Sequence, residues 1–286
     1  MRSCESRTDK LKNGLSDAVD ATYLTTRFEG WDYKGEPNPT TWPSVASHFG
    51  IIDSAGFWKD RTYWYKAWFL SNEPKLYLFP HWTGWEIGEI VRVWSFSNYP
   101  EVELVVNGES EGRKSINLYS HCEWNVTFAG GEIEVKGYEN VGDVTSAESY
   151  KVGTAKKPVK LRATIMDGVG SNGISASGLD VAKVKVEVLD NNGVLVPVET
   201  SLITVKLTVS DEGVLVGTGN GNNFDHDPDV TKERDVYHGR VMAWVKADRR
   251  SAEIGGEVVV EVSAEGLEGD KIMLSIVDGL VGGQEL

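Results

Sequence analysis

The feature that most constrains this chain is a long succession of short β-rich runs separated by Asn and Gly turns. Within one run Val184, Val186 and Val188 alternate with charged residues, which is the period-two pattern of a strand with one buried face. An Asn-Gly pair at 192–193 then predicts a hairpin turn. Because no helical period separates these runs, they predict antiparallel β-sandwiches and not an α/β sheet.

The β-rich runs fall into two groups, which we interpret as two sandwiches. The first group occupies residues 73–157, where VNGES and FAGGE supply turns between paired strands. The second group occupies 158–286 and has the size of an immunoglobulin-like domain, with VGTAKKPV as the predicted linker. The predicted strands are 75–80, 90–96, 102–108, 123–131, 132–138, 159–165, 180–190, 201–210, 240–247, 257–266 and 271–277.

Residues 1–72 differ in character from the rest of the chain. YLTTRF, at 23–28, predicts a short strand, and prolines 37, 39 and 43 forbid regular structure in the loop 35–43. Residues 59–70 predict a helix, because Tyr63, Trp64, Ala67 and Trp68 form one broad apolar stripe. Such a stripe has to pack against another part of the protein.

Composition excludes several classes of partner. The net charge of -14 argues against nucleic acid and anionic membranes, since both require a basic surface. No run approaches the roughly 18 apolar residues of a membrane-spanning helix, and no apolar signal segment is visible near residue 1, which leaves the compartment open. Cys4 and Cys122 are too few to form a disulfide framework, and their pairing is also open.

A calcium-like pattern fails on inspection. Asp225, Asp227 and Asp229 alternate as in a calcium-binding loop, but Val230 and Val236 stand where glycine and glutamate are needed. We therefore predict a solvated loop with no metal. The five histidines lack metal-ligand spacing, and no cofactor is predicted. GTGNG lacks the spacing of a dinucleotide fingerprint and is predicted as a turn.

Carbohydrate chemistry is suggested by residues 28–44, where aromatic and acidic side chains are held by prolines, as in a sugar-binding rim. Glycoside hydrolysis needs two facing carboxylates, and Glu29, Asp32 and Glu36 would all come from one short segment. We therefore predict no catalytic residue here.

A second aromatic segment lies further along the chain. Trp82 and Trp85 in FPHWTGW offer flat faces for stacking on a sugar ring, with packing between domains as the alternative.

Three segments together resemble one family. GWDYKGEPNPTTWPSVASHFGIIDSAGFWKDRTYWYKAWF resembles the end of the catalytic barrel in glycoside hydrolase family 2, the β-galactosidase-like enzymes. LYLFPHWTGWEIGEIVRVWSFSNYPEVELVVNGESEGRK is similar to the small sandwich that follows it, and DVAKVKVEVLDNNGVLVP to the next, immunoglobulin-like domain. The resemblance implies a mainly β chain: two immunoglobulin-like antiparallel sandwiches preceded by the last strand and helix of a (β/α)8 barrel, with domains 1–72, 73–157 and 158–286.

The resemblance also implies where the catalytic residues of the family lie. In the family, both catalytic glutamates lie on barrel strands before this segment, so retaining hydrolysis is not expected from this chain alone. Phe28, where the family usually has tryptophan, with Trp31, Asp32 and Glu36 are the implied remnant of a sugar subsite.

The implied partner is a β-galactoside or related carbohydrate, if the full barrel is present. Two accounts remain open: the C-terminal part of a longer glycoside hydrolase, or a non-catalytic carbohydrate-binding or scaffold protein.

Overall fold

The computed structural model describes residues 30–37, 39–70, 74–168, 172–197 and 203–279. The predicted strand at 23–28, with Phe28, and Cys4 lie outside these ranges. The described chain forms two compact units. The first comprises residues 30–32, Phe49–Ile52 and Trp58–Thr154. The second comprises Tyr33–His48, Asp53–Phe57 and residues from 155 onwards.

The predicted helix is confirmed as α1, Asp60–Phe69. Its aromatic stripe packs within the first unit: the Tyr63 ring stacks on Tyr77 with centroids 3.6 Å apart. The Trp64 indole N–H donates to the backbone oxygen of Tyr119 over 3.3 Å. Ala67 is fully buried. The stripe therefore covers strands of the first sandwich, as an apolar helix face requires.

The first sandwich has seven antiparallel strands in two sheets that share one core. One sheet has the order β1-β2-β5 and the other β4-β3-β6-β7. The strands are β1 Leu76–Phe79, β2 Ile90–Ser97, β3 Glu101–Val106, β4 Glu109–Ser115, β5 Cys122–Thr127, β6 Glu132–Tyr138 and β7 Glu148–Gly153. Core residues from both sheets include Val93 and Trp124 on one side and Leu104 and Val135 on the other.

The second sandwich is the predicted immunoglobulin-like domain. Its sheets have the orders β12-β14-β10-β8 and β13-β11-β15-β16-β9, antiparallel except for the short β9. The strands are β8 Lys160–Ile165, β9 Ile174–Ser175, β10 Ala182–Leu189, β11 Thr204–Val209, β12 Gly213–Gly219, β13 Glu233–Asp235, β14 Arg240–Ala247, β15 Glu257–Ser263 and β16 Asp270–Val277. Val184, Val186 and Val188 are buried in the shared core, as the period-two pattern predicts. Glu187, on the opposite face, is buried as well, so the alternation of burial holds only for the first half of the strand.

The turn predicted at GTGNG is wrong for its first three residues. Residues 217–219 end strand β12 and pair with Met242 and Trp244 of β14, after a bulge next to Leu215. Glycine suits this position because a Cβ on Gly219 would lie 3.3 Å from the Trp244 ring. The missing side chain reflects close packing on an aromatic ring, which a local sequence pattern does not distinguish from a turn.

Candidate functional site

Trp31 and Asp32, two of the predicted subsite residues, lie in the first unit. The Trp31 side chain is 53% exposed, and its backbone forms a parallel bridge with Ile52. Asp32 is buried, and the chain itself uses both of its carboxylate oxygens. Oδ1 accepts the Gly50 N–H over 2.9 Å, and Oδ2 lies 2.6 Å from Lys59 Nζ. These contacts fix the backbone beside Trp31; a direct sugar contact by Asp32 stays a prediction.

Glu36 lies in a segment that belongs to the second unit and that we call the rim loop, residues 33–37 and 39–48. The loop is folded back on itself, since the Gly35 N–H donates to the Val45 oxygen over 2.9 Å and the Ser47 N–H donates to the Tyr33 oxygen over 2.8 Å. The Glu36 carboxylate is exposed and accepts a hydrogen bond from the Tyr33 hydroxyl. The loop therefore presents an oriented carboxylate to solvent.

The rim loop lies against a second segment, the support loop, residues 220–229. Asn223 contacts it twice: its backbone oxygen accepts the Val45 N–H over 2.8 Å, and its side-chain Nδ2 donates to the Ser47 oxygen over 2.6 Å. His226 Nε2 lies 2.7 Å from the Pro43 oxygen. The Lys34 ammonium is 2.6 Å from Asp229.

The support loop is in turn held by Arg234, whose side chain is almost completely buried. The guanidinium lies 2.8 Å from Asp225 and donates to the Thr218 hydroxyl over 3.2 Å. It also donates to the backbone oxygens of Thr218 and Pro228 over 3.3 and 2.5 Å. Sequence reasoning missed both Asn223 and Arg234, because their partners are distant in sequence or are backbone atoms that no motif marks.

Two of the three aspartates in the calcium-like pattern form ion pairs within the second unit. Asp225 pairs with Arg234 and Asp229 with Lys34, so two of the three carboxylates are engaged by cations of the chain. Across the part of the chain that the structure describes, no group of three or more His, Cys, Asp or Glu side chains is arranged to hold a metal ion. Within the same residues, no helix has the length and apolar character needed to cross a membrane.

The two tryptophans proposed for sugar stacking have different environments. Trp82 is fully buried, and its ring packs edge-on against Phe128 with centroids 4.9 Å apart. Trp82 therefore packs within the core of the first sandwich, which differs from both the sugar-stacking prediction and the alternative of packing between domains. Trp85 is partly exposed, packs against the same core, and donates its indole N–H to the His81 oxygen over 2.9 Å. Stacking on a sugar ring therefore stays a prediction, and the partly exposed Trp85 fits it better than the buried Trp82 does.

Comparison with known proteins places these features in a family context. A β-galactosidase, BoGH2A from Bacteroides ovatus, is 35% identical over 255 residues, which cover 88% of this chain and 28% of that protein. A putative β-glucuronidase from Formosa agariphila is 31% identical over 231 residues, 77% of this chain and 21% of that protein. The crystal structure of a β-glycosidase from Bacteroides vulgatus matches with a TM-score of 0.75 at 25% identity, covering 86% of this chain and 30% of that one.

Two family models match the sandwiches. Residues 169–273 match glycoside hydrolase family 2 C-terminal domain 5, and residues 88–146 match a domain of unknown function, DUF4982. The β-sandwich fold and these matches together indicate the class: C-terminal domains of glycoside hydrolases. The chain belongs to glycoside hydrolase family 2 and corresponds to the C-terminal portion of its β-galactosidase-like members. It spans less than a third of the length of these relatives.

Proposed function

We propose that this chain works as part of an enzyme that hydrolyses β-galactosides, and that its own contribution is one wall of the sugar site. The observation that carries the proposal is the exposed Glu36 carboxylate, which the Tyr33 hydroxyl orients on a rim loop with a defined fold. A carboxylate fixed in this way accepts hydrogen bonds from sugar hydroxyls, and such contacts strengthen in the transition state of glycoside hydrolysis. The relationship to BoGH2A, a β-galactosidase, supports the substrate class.

Two cations among the described residues, one bound to Asp32 and one in the rim loop, favour a neutral sugar over a uronic acid. Lys34 is paired with Asp229 and Lys59 with Asp32, so each cation is already neutralised by a carboxylate. A glucuronide carries its own carboxylate, which needs a cation as partner and is repelled by Glu36. A galactoside has only hydroxyls, which a carboxylate and an aromatic face bind well.

The remaining chemistry falls outside the described residues. Retaining hydrolysis uses two carboxyl groups about 5–5.5 Å apart, one as nucleophile and one as acid and base. The family resemblance assigns both to barrel strands that precede residue 28. In our proposal Glu36 binds the hydroxyls of the sugar, while residues 1–72 belong to the barrel, 73–157 to the first sandwich and 158–286 to the second. A stacking role of Trp31 stays a prediction.

The proposal is tested by ligand binding and by turnover on the purified chain. Titration with galactose and with glucuronate, followed by amide NMR, should show saturable shifts near Glu36 with galactose. Glu36→Gln should weaken these shifts at least several-fold, with Glu109→Gln, an exposed residue of β4, as the matched control. A chromogenic β-galactoside should not be turned over. Turnover that is lost in Glu36→Gln, or tighter binding of glucuronate, would contradict the proposal.

A second candidate function is non-catalytic carbohydrate binding by the first sandwich. The partly exposed ring of Trp85, fixed by its hydrogen bond to His81, favours this alternative. Polysaccharide binding that quenches tryptophan fluorescence in the wild type but not in Trp85→Ala, and that is unchanged in Trp31→Ala, would support the binding module over the enzyme part.

A further inference from the structure

We propose that the support loop of the immunoglobulin-like domain positions the rim loop, with Asn223 and His226 as positioning residues and Arg234 as the anchor. The idea that the rim loop binds a sugar rests on the proposed function. The positioning of the rim loop is argued only from contacts within the second unit. The consequence is that the immunoglobulin-like domain determines the geometry of the rim loop.

Asn223 fixes the path of the rim loop backbone. Its side chain is buried, and it contacts the stretch between Val45 and Ser47 through both a backbone and a side-chain atom. The Ser44 hydroxyl approaches the same Asn223 oxygen at 3.5 Å. A buried amide that binds the backbone of another segment tolerates little displacement, because each unmade hydrogen bond costs about 1–3 kcal/mol.

His226 fixes the other end of the contact, around Trp42. Because a carbonyl oxygen can only accept, Nε2 of His226 must donate to the Pro43 oxygen. The His226 ring also meets the Trp42 ring edge-on, with centroids 4.8 Å apart and an interplanar angle of 77°. Trp42 is 76% exposed, so this contact with His226 is a main constraint on an indole that otherwise faces solvent. The imidazole therefore orients an aromatic side chain of the rim loop.

Arg234 anchors the support loop to strand β12 through its buried side chain. Its charge is buried, and such a charge is stable only when a carboxylate and further acceptors surround it. Asp225 and the oxygens of Thr218 and Pro228 provide these partners. The guanidinium thus connects strand β12 to two points of the support loop, on either side of His226. The loop has a fixed shape to which the rim loop can bind.

These residues lie outside the hydrophobic core of the second sandwich, which consists of apolar residues, most of them in the strands. Replacing Asn223 or His226 therefore removes contacts to the rim loop without opening a cavity in that core. This separation makes a positioning role distinguishable from a general structural role. A positioning role predicts a local effect on residues 33–37 and 39–48, whereas a structural role predicts a lower global stability.

The test is amide hydrogen exchange on the full 286-residue chain, read at peptides that contain Val45 and Ser47. Asn223→Ala should speed exchange there about tenfold, which corresponds to the loss of roughly one hydrogen bond. His226→Ala should do the same for the amides next to Pro43 and should change the tryptophan emission of the chain. Since the chain has ten tryptophans, Trp42→Phe should abolish that emission change. His226→Gln, which keeps a donor, should restore slow exchange but not the emission. Asp227→Ala, in the same loop, is the matched control and should change neither.

The proposal fails if exchange of the rim loop is unchanged in both Asn223→Ala and His226→Ala, or if it changes only together with the global unfolding midpoint. Adding galactose to the wild type tests the sugar-binding role of the rim loop independently of its positioning by the support loop. Faster exchange in the variants without any galactose protection would support positioning and contradict the sugar role. Galactose protection with unchanged exchange in the variants would contradict positioning and support the sugar role.

Discussion

The ammonium of Lys59 lies 2.6 Å from Oδ2 of Asp32, whose side chain is only 1% exposed. The other oxygen of Asp32 accepts the N–H of Gly50, so one carboxylate connects residues 32, 50 and 59. A Cβ on Gly50 would lie 2.3 Å from the Asp32 nitrogen, which shows how closely these backbones approach. The pair therefore holds the backbone that carries Trp31 next to the start of helix α1.

Asp32→Asn should lower the free energy of unfolding by about 1.5–3 kcal/mol, because it removes a charge-assisted hydrogen bond at a buried site. Urea unfolding at pH 7 would measure the change. The matched control is Lys34→Met, which breaks an ion pair whose side chains are 56% and 70% exposed. Exposed pairs contribute only about 0–1 kcal/mol. Equal effects of the two substitutions would contradict this explanation.

Gly221 is predicted to be intolerant of alanine for two separate reasons. Its φ of +78° disfavours a side chain, and a Cβ would lie 2.2 Å from Asp53 Oδ2. Gly193 has φ +81°, but no heavy atom lies within 4 Å of the position that a Cβ would occupy. A substitution there therefore measures only the free-energy cost of the backbone conformation. Gly193→Ala should cost about 1–2 kcal/mol, and Gly221→Ala about 1–3 kcal/mol more through the steric conflict. Similar unfolding midpoints for the two variants would show that Asp53 simply moves away.

The sequence predicts those helices and strands whose pattern of apolar residues lies within the element itself. Helix α1 follows from an apolar stripe in ten residues, and strand β10 follows from the sequence alternation that begins at Ala182. The burial of Glu187 on the other face was not predictable from that pattern. Strand β4, Glu109–Ser115, was missed because its residues are mostly charged and exposed, and its place comes from pairing with β3. The end of strand β12 differs from the predicted turn because the Trp244 ring that explains Gly219 is remote in the chain.

The candidate site was predictable only in part, for the same reason. The aromatic and acidic composition of residues 28–44 predicts a sugar-binding rim, since side-chain chemistry is visible in a sequence, and the binding role stays a prediction. The contacts that hold this segment, such as Asn223 with Ser47, join residues 176 positions apart. Their formation depends on where the sandwich places the support loop, and neither segment carries a pattern that reveals the other.

Trp82 and Trp85 should separate packing from surface contact when each is replaced by alanine. Trp82 is fully buried against Phe128, so Trp82→Ala should lower the free energy of unfolding by about 3–5 kcal/mol. Trp85→Ala should cost clearly less, because only part of its ring packs on the core. Urea unfolding followed by far-UV circular dichroism would measure both, since the substitutions alter the tryptophan signal itself. A larger loss in Trp85→Ala would contradict the assignment of Trp82 to the core.

Glu187 should make the stability of the second sandwich depend on pH. Burial by itself raises the pKa of this carboxyl, but its surrounding cations outweigh that effect and lower the pKa below the ordinary value. Arg162 donates to Glu187 over 2.8 Å. Lys185 and Arg240 lie 3.0 and 3.7 Å from the other oxygen. Because the pKa is lower in the folded state, the unfolded chain binds the proton more tightly.

The stabilisation from Glu187 is therefore fully present above the unfolded value, about 4.3, and is lost as the pH falls through the lower folded value. Glu187→Gln should lower the free energy of unfolding by about 1–2 kcal/mol at pH 7, and the difference from the wild type should shrink below about pH 4. Urea unfolding at pH 7, 5, 4 and 3 would measure this. Glu233→Gln, which removes an exposed pair with Lys206, is the control and should cost under about 0.5 kcal/mol at pH 7. A deficit in Glu187→Gln that stays constant down to pH 3 would show that packing, and not charge, accounts for the effect.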